Sequence, residues 1–98
     1  MSVDVTTLIL TKNEEQNLPF ALESVTGWTR AVFVLDSGST DRTCEIAESM
    51  GAQIFSNPFE GYAKQRNFAL EELPIQTKWV LFLDADETLT EELKQEIS

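Results

Sequence analysis

Two aspartates one residue apart, Asp84 and Asp86, follow the apolar run Trp79-Val-Leu-Phe-Leu83 and precede Glu87. On a backbone that stays extended, residues i and i+2 point to the same side. Two carboxylates so placed repel one another unless something positive sits between them. A hard divalent cation, its shell completed by water and phosphate oxygens, would satisfy both. Glu87 could join from the other side of the chain. The same acids would also suit a solvated strand end leading into a helix N-terminus, where negative charge is favoured. Asp36 is a third acid in a comparable position, directly after Ala31-Val-Phe-Val-Leu35. With Gly38 and Ser39 behind it, it suits a turn or a helix cap. Beside the Asp84–Asp86 pair on a neighbouring edge, it becomes a ligand candidate as well.

The basic residues are Lys12, Arg30, Arg42, Lys64, Arg66, Lys78 and Lys94. Lys12, Arg42, Lys64 and Arg66 fall in loops or first helical turns near the acids. A cation at a helix N-terminus opposes the macrodipole, and an anionic ligand would reverse that cost. Local pairing with Asp41, Glu60 or Glu71 is the competing explanation, and it is our reading for Arg42. Lys64 and Arg66, one turn from Gly61, read as ligand contacts. Acids for a metal and bases for an anion on one edge suggest a metal–diphosphate site. Neither common Gly-rich phosphate loop, G-x-x-x-x-G-K-[ST] or G-x-G-x-x-G, occurs, which weakens kinase, P-loop and dinucleotide readings.

Composition narrows the chemistry further. There is no histidine and one cysteine, Cys44. Ser-His-Asp and Cys-His catalysis are therefore excluded, as are an intrachain disulfide and Cys-rich zinc sites. Oxygen ligands favour Mg²⁺, Mn²⁺ or Ca²⁺. Seven basic against seventeen acidic residues give a net charge of −10. No basic stripe of the kind that binds a nucleic acid polymer is present, nor a polybasic membrane anchor. The start, Met1-Ser-Val-Asp-Val5, lacks the features of a signal peptide, and no apolar run approaches the ~20 residues of a membrane span. A cytoplasmic location is the default expectation, with attachment to the inner face of a membrane left open. Hydrophobic residues make up 42% of 98, enough for one small folded domain.

Apolar strands alternate with helices that have readable ends. Strands are expected over Val3 to Leu10, Ala31 to Leu35, Ala52 to Phe55 and Lys78 to Leu83. The second and fourth are almost continuously apolar, as strands covered on both faces are. Pro19 opens a first helix running to about Val25, with Leu18, Leu22 and Val25 at helical spacing. Ser39, Thr40 or Asp41 caps a second, whose Ile46, Ala47 and Met50 face inward and which Gly51 ends. A third runs from Tyr62 to Leu73 with Ala69, Leu70 and Leu73 as its core stripe, stopped by Pro74. Thr88 and Glu91 are spaced as a capping box for a last helix from Thr90 onward. The order βαβαβαβα implies an α/β fold with a mainly parallel sheet between helical layers and right-handed crossovers. Ligands then bind beyond the carboxyl ends of the strands, where all the acids above lie.

With these residues placed, the chain resembles the N-terminal part of family 2 glycosyltransferases. Four segments carry the resemblance, in order: Thr11-Lys-Asn-Glu-Glu15, Asp36-Ser-Gly-Ser-Thr-Asp41, Gly61-Tyr-Ala-Lys-Gln-Arg-Asn67 and Trp79-Val-Leu-Phe-Leu-Asp-Ala-Asp-Glu87. The last holds the family's Asp-x-Asp motif. The wording is most similar to that of bacterial enzymes adding a sugar, often glucose, to the lipopolysaccharide core. The resemblance implies a three-layer, Rossmann-like GT-A fold, present in part as one truncated nucleotide-sugar-binding domain over residues 1–98. It implies that Asp36 and the segment after Thr11, including Asn13 and Glu14, line the nucleoside pocket. Lys64 and Arg66 would lie near the base or diphosphate, Asp84 near the ribose or metal shell, and Asp86 on Mn²⁺ or Mg²⁺. The implied partners are a nucleotide-diphosphate sugar, a UDP-sugar foremost, and a saccharide or lipid-linked acceptor attacked with inversion. Many relatives carry a second acid, able to contact the base, where this chain has Ser37, so the base is left open. The family's catalytic base lies well downstream of the Asp-x-Asp motif and no residue here matches it. The 98 residues are expected to bind donor weakly and transfer nothing.

Two other readings compete. A receiver-like regulatory domain would use Asp36 as phosphate acceptor beside a Mg²⁺ site, and would gain a stable phosphate from a small phosphodonor. A fold with uncovered sheet edges would instead associate with itself, as a homo-oligomer without ligand response.

Overall fold

The computed structural model describes residues 3–97. Four strands and four helices alternate: β1 Val3–Thr11, α1 Leu18–Val25, β2 Thr29–Asp36, α2 Thr43–Ser49, β3 Gln53–Ser56, α3 Tyr62–Glu72, β4 Trp79–Asp84 and α4 Glu91–Ile97. The strands form one parallel sheet in the order β3-β2-β1-β4. The chain moves outward from β1 through β2 to β3, then returns to place β4 on the other side of β1. The winding direction therefore reverses between β1 and β4, and a crevice opens at such a point beyond the carboxyl ends.

Alternation along the strands divides the core in two. Ile9, Val34 and Leu83 point to one face, against Leu18, Ala21, Leu22 and Val25 of α1 and Ala47 of α2. Leu8, Phe33 and Leu35 point to the other, against Ala69 and Leu73 of the α3 segment. Three layers result, as the alternation of elements predicts. The Leu18, Leu22 and Val25 stripe is fully buried. The threonines of β1 are buried with partners. Thr7 donates to Thr29 Oγ1 at 3.1 Å, Thr29 donates to the Val5 carbonyl at 2.6 Å, and the Thr6 and Thr77 hydroxyls share a 2.6 Å bond. Gly51, in the left-handed region at φ 88°, ends α2 as its position suggests.

Three expectations are corrected. Leu70 is 53% exposed rather than core. The buried positions of α3 are Gln65 and Ala69, four residues apart on one face, so a polar residue holds a core slot. The continuous apolar run of β4 does not mean burial on both faces. β4 is an edge strand, and Trp79 is 63% exposed. The last helix is capped by Thr90, whose hydroxyl accepts from the Leu93 N–H at 3.2 Å, in place of a Thr88–Glu91 box.

Candidate functional site

Strand register brings the predicted acids to one edge. Thr11 is paired with Asp36, and Asp36 with Ser56; on the other side of β1, Leu10 is paired with Asp84. Asp36 and Asp84 thus sit two inter-strand spacings apart, about 10 Å along the hydrogen-bonding direction.

Asp36 is buried and fully engaged. Oδ1 accepts from Thr11 Oγ1 at 2.7 Å and Ser39 Oγ at 2.6 Å, and Oδ2 from the Gly38 and Ser39 N–H groups at 3.0 and 2.7 Å. Burial pushes its pKa up, but the bonds from Ser39, Thr11 and Gly38 together outweigh it and hold the carboxyl below its ordinary value. Asp36 therefore organises the loop after β2. A receiver-like role needs an accessible carboxylate, and this one has none of its oxygens to spare.

The β1 and β2 loops are locked together. Asn13, at φ 55°, is the one non-glycine residue at positive φ among those described, a region asparagine tolerates better than most. Its Oδ1 accepts from the Thr40 N–H at 2.8 Å and the Asp41 N–H at 3.4 Å, while its own N–H donates to Ser39 Oγ at 2.8 Å. Thr43 Oγ1 accepts from the Glu14 N–H at 2.8 Å and donates to Asp41 Oδ1. The bond from Thr43, set against slight desolvation and aided by backbone N–H groups, holds the Asp41 carboxyl below its ordinary value. Lys12 reaches across, its Nζ donating to the Gly38 carbonyl at 3.0 Å.

A cleft of about 580 Å³ lies over this edge. Leu10, Thr11, Lys12 and Glu14 line it from β1 and its loop, Ser37 from the β2 loop, and Pro58, Phe59 and Tyr62 from the approach to α3. Of the sequence-predicted residues, Thr11 and Glu14 reach the cleft, Asp36 lies beneath it through Thr11, and Asp84 flanks it across Leu10. Lys64 is elsewhere: it pairs with Glu60 at 3.9 Å and lines a separate concavity with Asn57 and Asn67. Arg66 lies on the sheet side of α3, its guanidinium 5.2 Å from the centre of the Phe82 ring. Arg42 pairs locally, with Glu45 at 3.0 Å.

The Asp84–Asp86 segment is not extended. β4 stops at Asp84, and the Glu87 N–H donates to the Asp84 carbonyl at 2.9 Å, closing a turn. Glu87 Oε1 accepts from the Asp84 N–H at 3.1 Å, so this carboxylate caps the strand end and does not reach around to the far side. Ala85 is buried between the two exposed aspartates. No group of three or more acids among the described residues forms a ready metal cage. Two exposed carboxylates with oxygen-only chemistry suit a divalent ion that takes its remaining ligands from water and phosphate.

Sequence reasoning passed over Gln65, Phe59 and Tyr62. Gln65 is 1% exposed and links three elements. Nε2 donates to Ser37 Oγ at 3.1 Å and to the Asn57 carbonyl at 3.2 Å, and Oε1 accepts from Asn57 Nδ2 at 2.9 Å. Phe59 and Tyr62 are exposed and stand edge to face, ring centres 5.1 Å apart. Two aromatic residues flanking Gly61 within three positions, Phe59 in the loop and Tyr62 opening α3, are the available signal.

This strand order, with its polar loops on one edge, is that of the GT-A class of α/β transferase domains. The glycosyl transferase family 2 model matches residues 6–97, and the chain belongs to that family. An uncharacterised glycosyltransferase of Rickettsia typhi is 44% identical over 93 residues, covering 95% of this chain and 31% of its own length. The lipopolysaccharide core biosynthesis glycosyltransferase LpsC of Rhizobium meliloti is 36% identical, covering 89% of this chain and 33% of its own. Glucosyl-3-phosphoglycerate synthase of Mycobacterium tuberculosis, solved with Mn²⁺, UDP and glucosyl-3-phosphoglycerate, superimposes with a TM-score of 0.65 at 27% identity, over 86% of this chain and 35% of that one. The chain thus spans about a third of the length of the curated relatives it matches. No helix among the described residues is long and apolar enough to cross a membrane.

Proposed function

We propose that the chain is the donor-binding part of an inverting glycosyltransferase, taking a nucleotide-diphosphate sugar, with UDP foremost, for transfer to a saccharide or lipid-linked acceptor. The observation that carries this reading is that a cleft lined by Leu10, Thr11, Lys12 and Glu14 lies over the strand edge where Asp84 is in register with Leu10, with Asp86 exposed two residues on. The glycosyltransferase relatives and the neighbour solved with UDP and Mn²⁺ support it. The likeness to LpsC favours a lipopolysaccharide-type acceptor, which would set the reaction at the cytoplasmic face of a membrane.

In this reading the Asp36-organised loop and the Asn13 lock hold one wall of the nucleoside pocket rigid. Lys12 supplies positive charge near the diphosphate, and Arg66 does so from its place over Phe82 of β4. Lys64, paired with Glu60, stands outside this surface. Asp84 and Asp86 would hold Mn²⁺ or Mg²⁺, which when bound offsets the negative charge growing on the departing nucleoside diphosphate. The acceptor hydroxyl forms the new bond to the anomeric carbon as the bond to the diphosphate breaks, and its proton passes to a carboxylate base. No acid of this chain is assigned that last role.

Thermal unfolding with UDP and Mn²⁺ tests the reading. At ten times Kd the pair should stabilise by about 1.4 kcal/mol, a rise of roughly 6–11 °C for a domain this small. Asp86→Asn should abolish the metal-dependent part. An unchanged melting temperature at millimolar Mn²⁺ and UDP contradicts it.

A further inference from the structure

The segment carrying the two aspartates is a turn held from within. Asp84 is the last residue of β4, and Ala85 and Asp86 are the central residues of the turn that follows. Two bonds close it, and both run between Asp84 and Glu87. The Glu87 N–H donates to the Asp84 carbonyl at 2.9 Å, and Glu87 Oε1 accepts from the Asp84 N–H at 3.1 Å. The second bond falls where the sheet offers none. β4 is an edge strand among the described residues, so an N–H turned outward at its end has only water or a side chain to bond to.

The turn is pinned to the core on either side of Asp86. Ala85 is 5% exposed and packs in the cluster of Ile9 and α1. Leu89 is buried in the same cluster, and its N–H donates to Ser24 Oγ of α1 at 3.0 Å. Asp86 itself lies beyond the end of β4, outside the ladder, so its place is set by how the turn closes. Closing it this way brings a third carboxylate up to two others. On a chain of net charge −10 that arrangement is repulsive, and the bond from the Asp84 N–H offsets the repulsion. Glu87 is thereby engaged with the backbone, and no three-acid group among the described residues is arranged to hold a metal.

We propose that Glu87 is a positioning residue and not a metal ligand: by accepting from the Asp84 N–H it fixes the turn that presents Asp84 and Asp86 to a divalent ion. This rests on the donor-site reading above and adds to it a role for the third acid of the motif. The acceptor oxygen carries the role, and the negative charge does not. An amide oxygen accepts the same bond, whereas a ligand to a hard divalent ion is chiefly valuable for its charge.

Glu87→Gln and Glu87→Ala separate the two roles, because both remove the charge and only Gln keeps the acceptor. Titration calorimetry of the 98-residue chain with UDP, with and without Mn²⁺, gives the Mn²⁺-dependent part of the affinity for each, and circular dichroism checks that each variant is folded. Glu87→Gln should bind within about threefold of the parent, the worth of one exposed charge. Glu87→Ala should bind about tenfold more weakly than Glu87→Gln, as on loss of a group that orients a metal ligand. In the absence of metal, hydrogen exchange followed by nuclear magnetic resonance should show the Asp84 amide protected in the parent and in Glu87→Gln, and released in Glu87→Ala. Equal affinities of the two variants overturn the inference: equal weakness makes Glu87 a ligand through its charge, and equal strength leaves it no part in the site. An Asp84 amide that exchanges as fast in the parent as in Glu87→Ala overturns it too. Either result leaves the donor-site reading standing. A parent chain without Mn²⁺-dependent binding of UDP overturns that reading, and this inference with it.

Discussion

Asp36 shows how one position can read from sequence as either a turn former or a ligand. Its place after an apolar strand marks it, and the Gly38-Ser39 sequence allows both a turn and a ligand role. What letters cannot convey is that four donors converge on two oxygens. We expect Asp36→Asn to cost about 2 kcal/mol at neutral pH, because a neutral amide replaces a carboxylate that accepts four bonds, and the Thr11 and Ser39 hydroxyls must turn from donating to accepting. The sign of the pH dependence follows from the lowered folded-state pKa. Stability from this carboxylate is complete above its unfolded value of about 3.9, and is lost as pH falls through the lower folded value. Urea unfolding at a series of pH values should show that acid-side slope in the parent and its absence in Asp36→Asn. Gln65 is the opposite case, since nothing in a lone glutamine on a helix signals that it is buried. Its role depends on Asn57 and Ser37, residues distant in sequence whose meeting only the fold determines.

The elements themselves were largely readable. Pro19, Gly51 and Pro74 mark boundaries through backbone chemistry that tertiary context does not alter, and every strand and helix appears where expected to within a few residues. The α1 stripe was legible because all its apolar letters fall on one face. The α3 stripe was not, because Gln65 occupies a core position and Leu70 a solvent one. We expect Leu22→Ala to lower stability by about 2–5 kcal/mol, and Leu70→Ala to change it by no more than about 0.5 kcal/mol. Denaturant melts of the two variants check both, and a large loss at Leu70 would contradict the packing described. The turn at Glu87 was hidden for a different reason. An extended Asp84–Asp86 pair and a turned one have the same sequence, and only the Glu87 N–H bond to Asp84 decides between them.

At the scale of the molecule, the parallel order predicted from alternating elements is present, and the reversal between β1 and β4 collects the chemistry on one edge. Which face each loop presents was not readable, because strand order depends on non-local pairing. Lys64, assigned from sequence to the same site as Asp84, pairs with Glu60 and lines a concavity with Asn57 and Asn67. The central claim is that a divalent ion sits at the Asp84–Asp86 turn beside the β1–β2 cleft and holds the diphosphate there. Nuclear magnetic resonance of the ¹⁵N-labelled chain with UDP and substoichiometric Mn²⁺ tests it most directly, since the paramagnetic ion broadens nearby amides. We expect broadening centred on Asp84 to Glu87 and extending to Lys12 and Ser37, with Lys64 spared. Broadening centred instead on the Glu91, Glu92 and Glu96 helix, or the same pattern in Asp86→Asn, would contradict it.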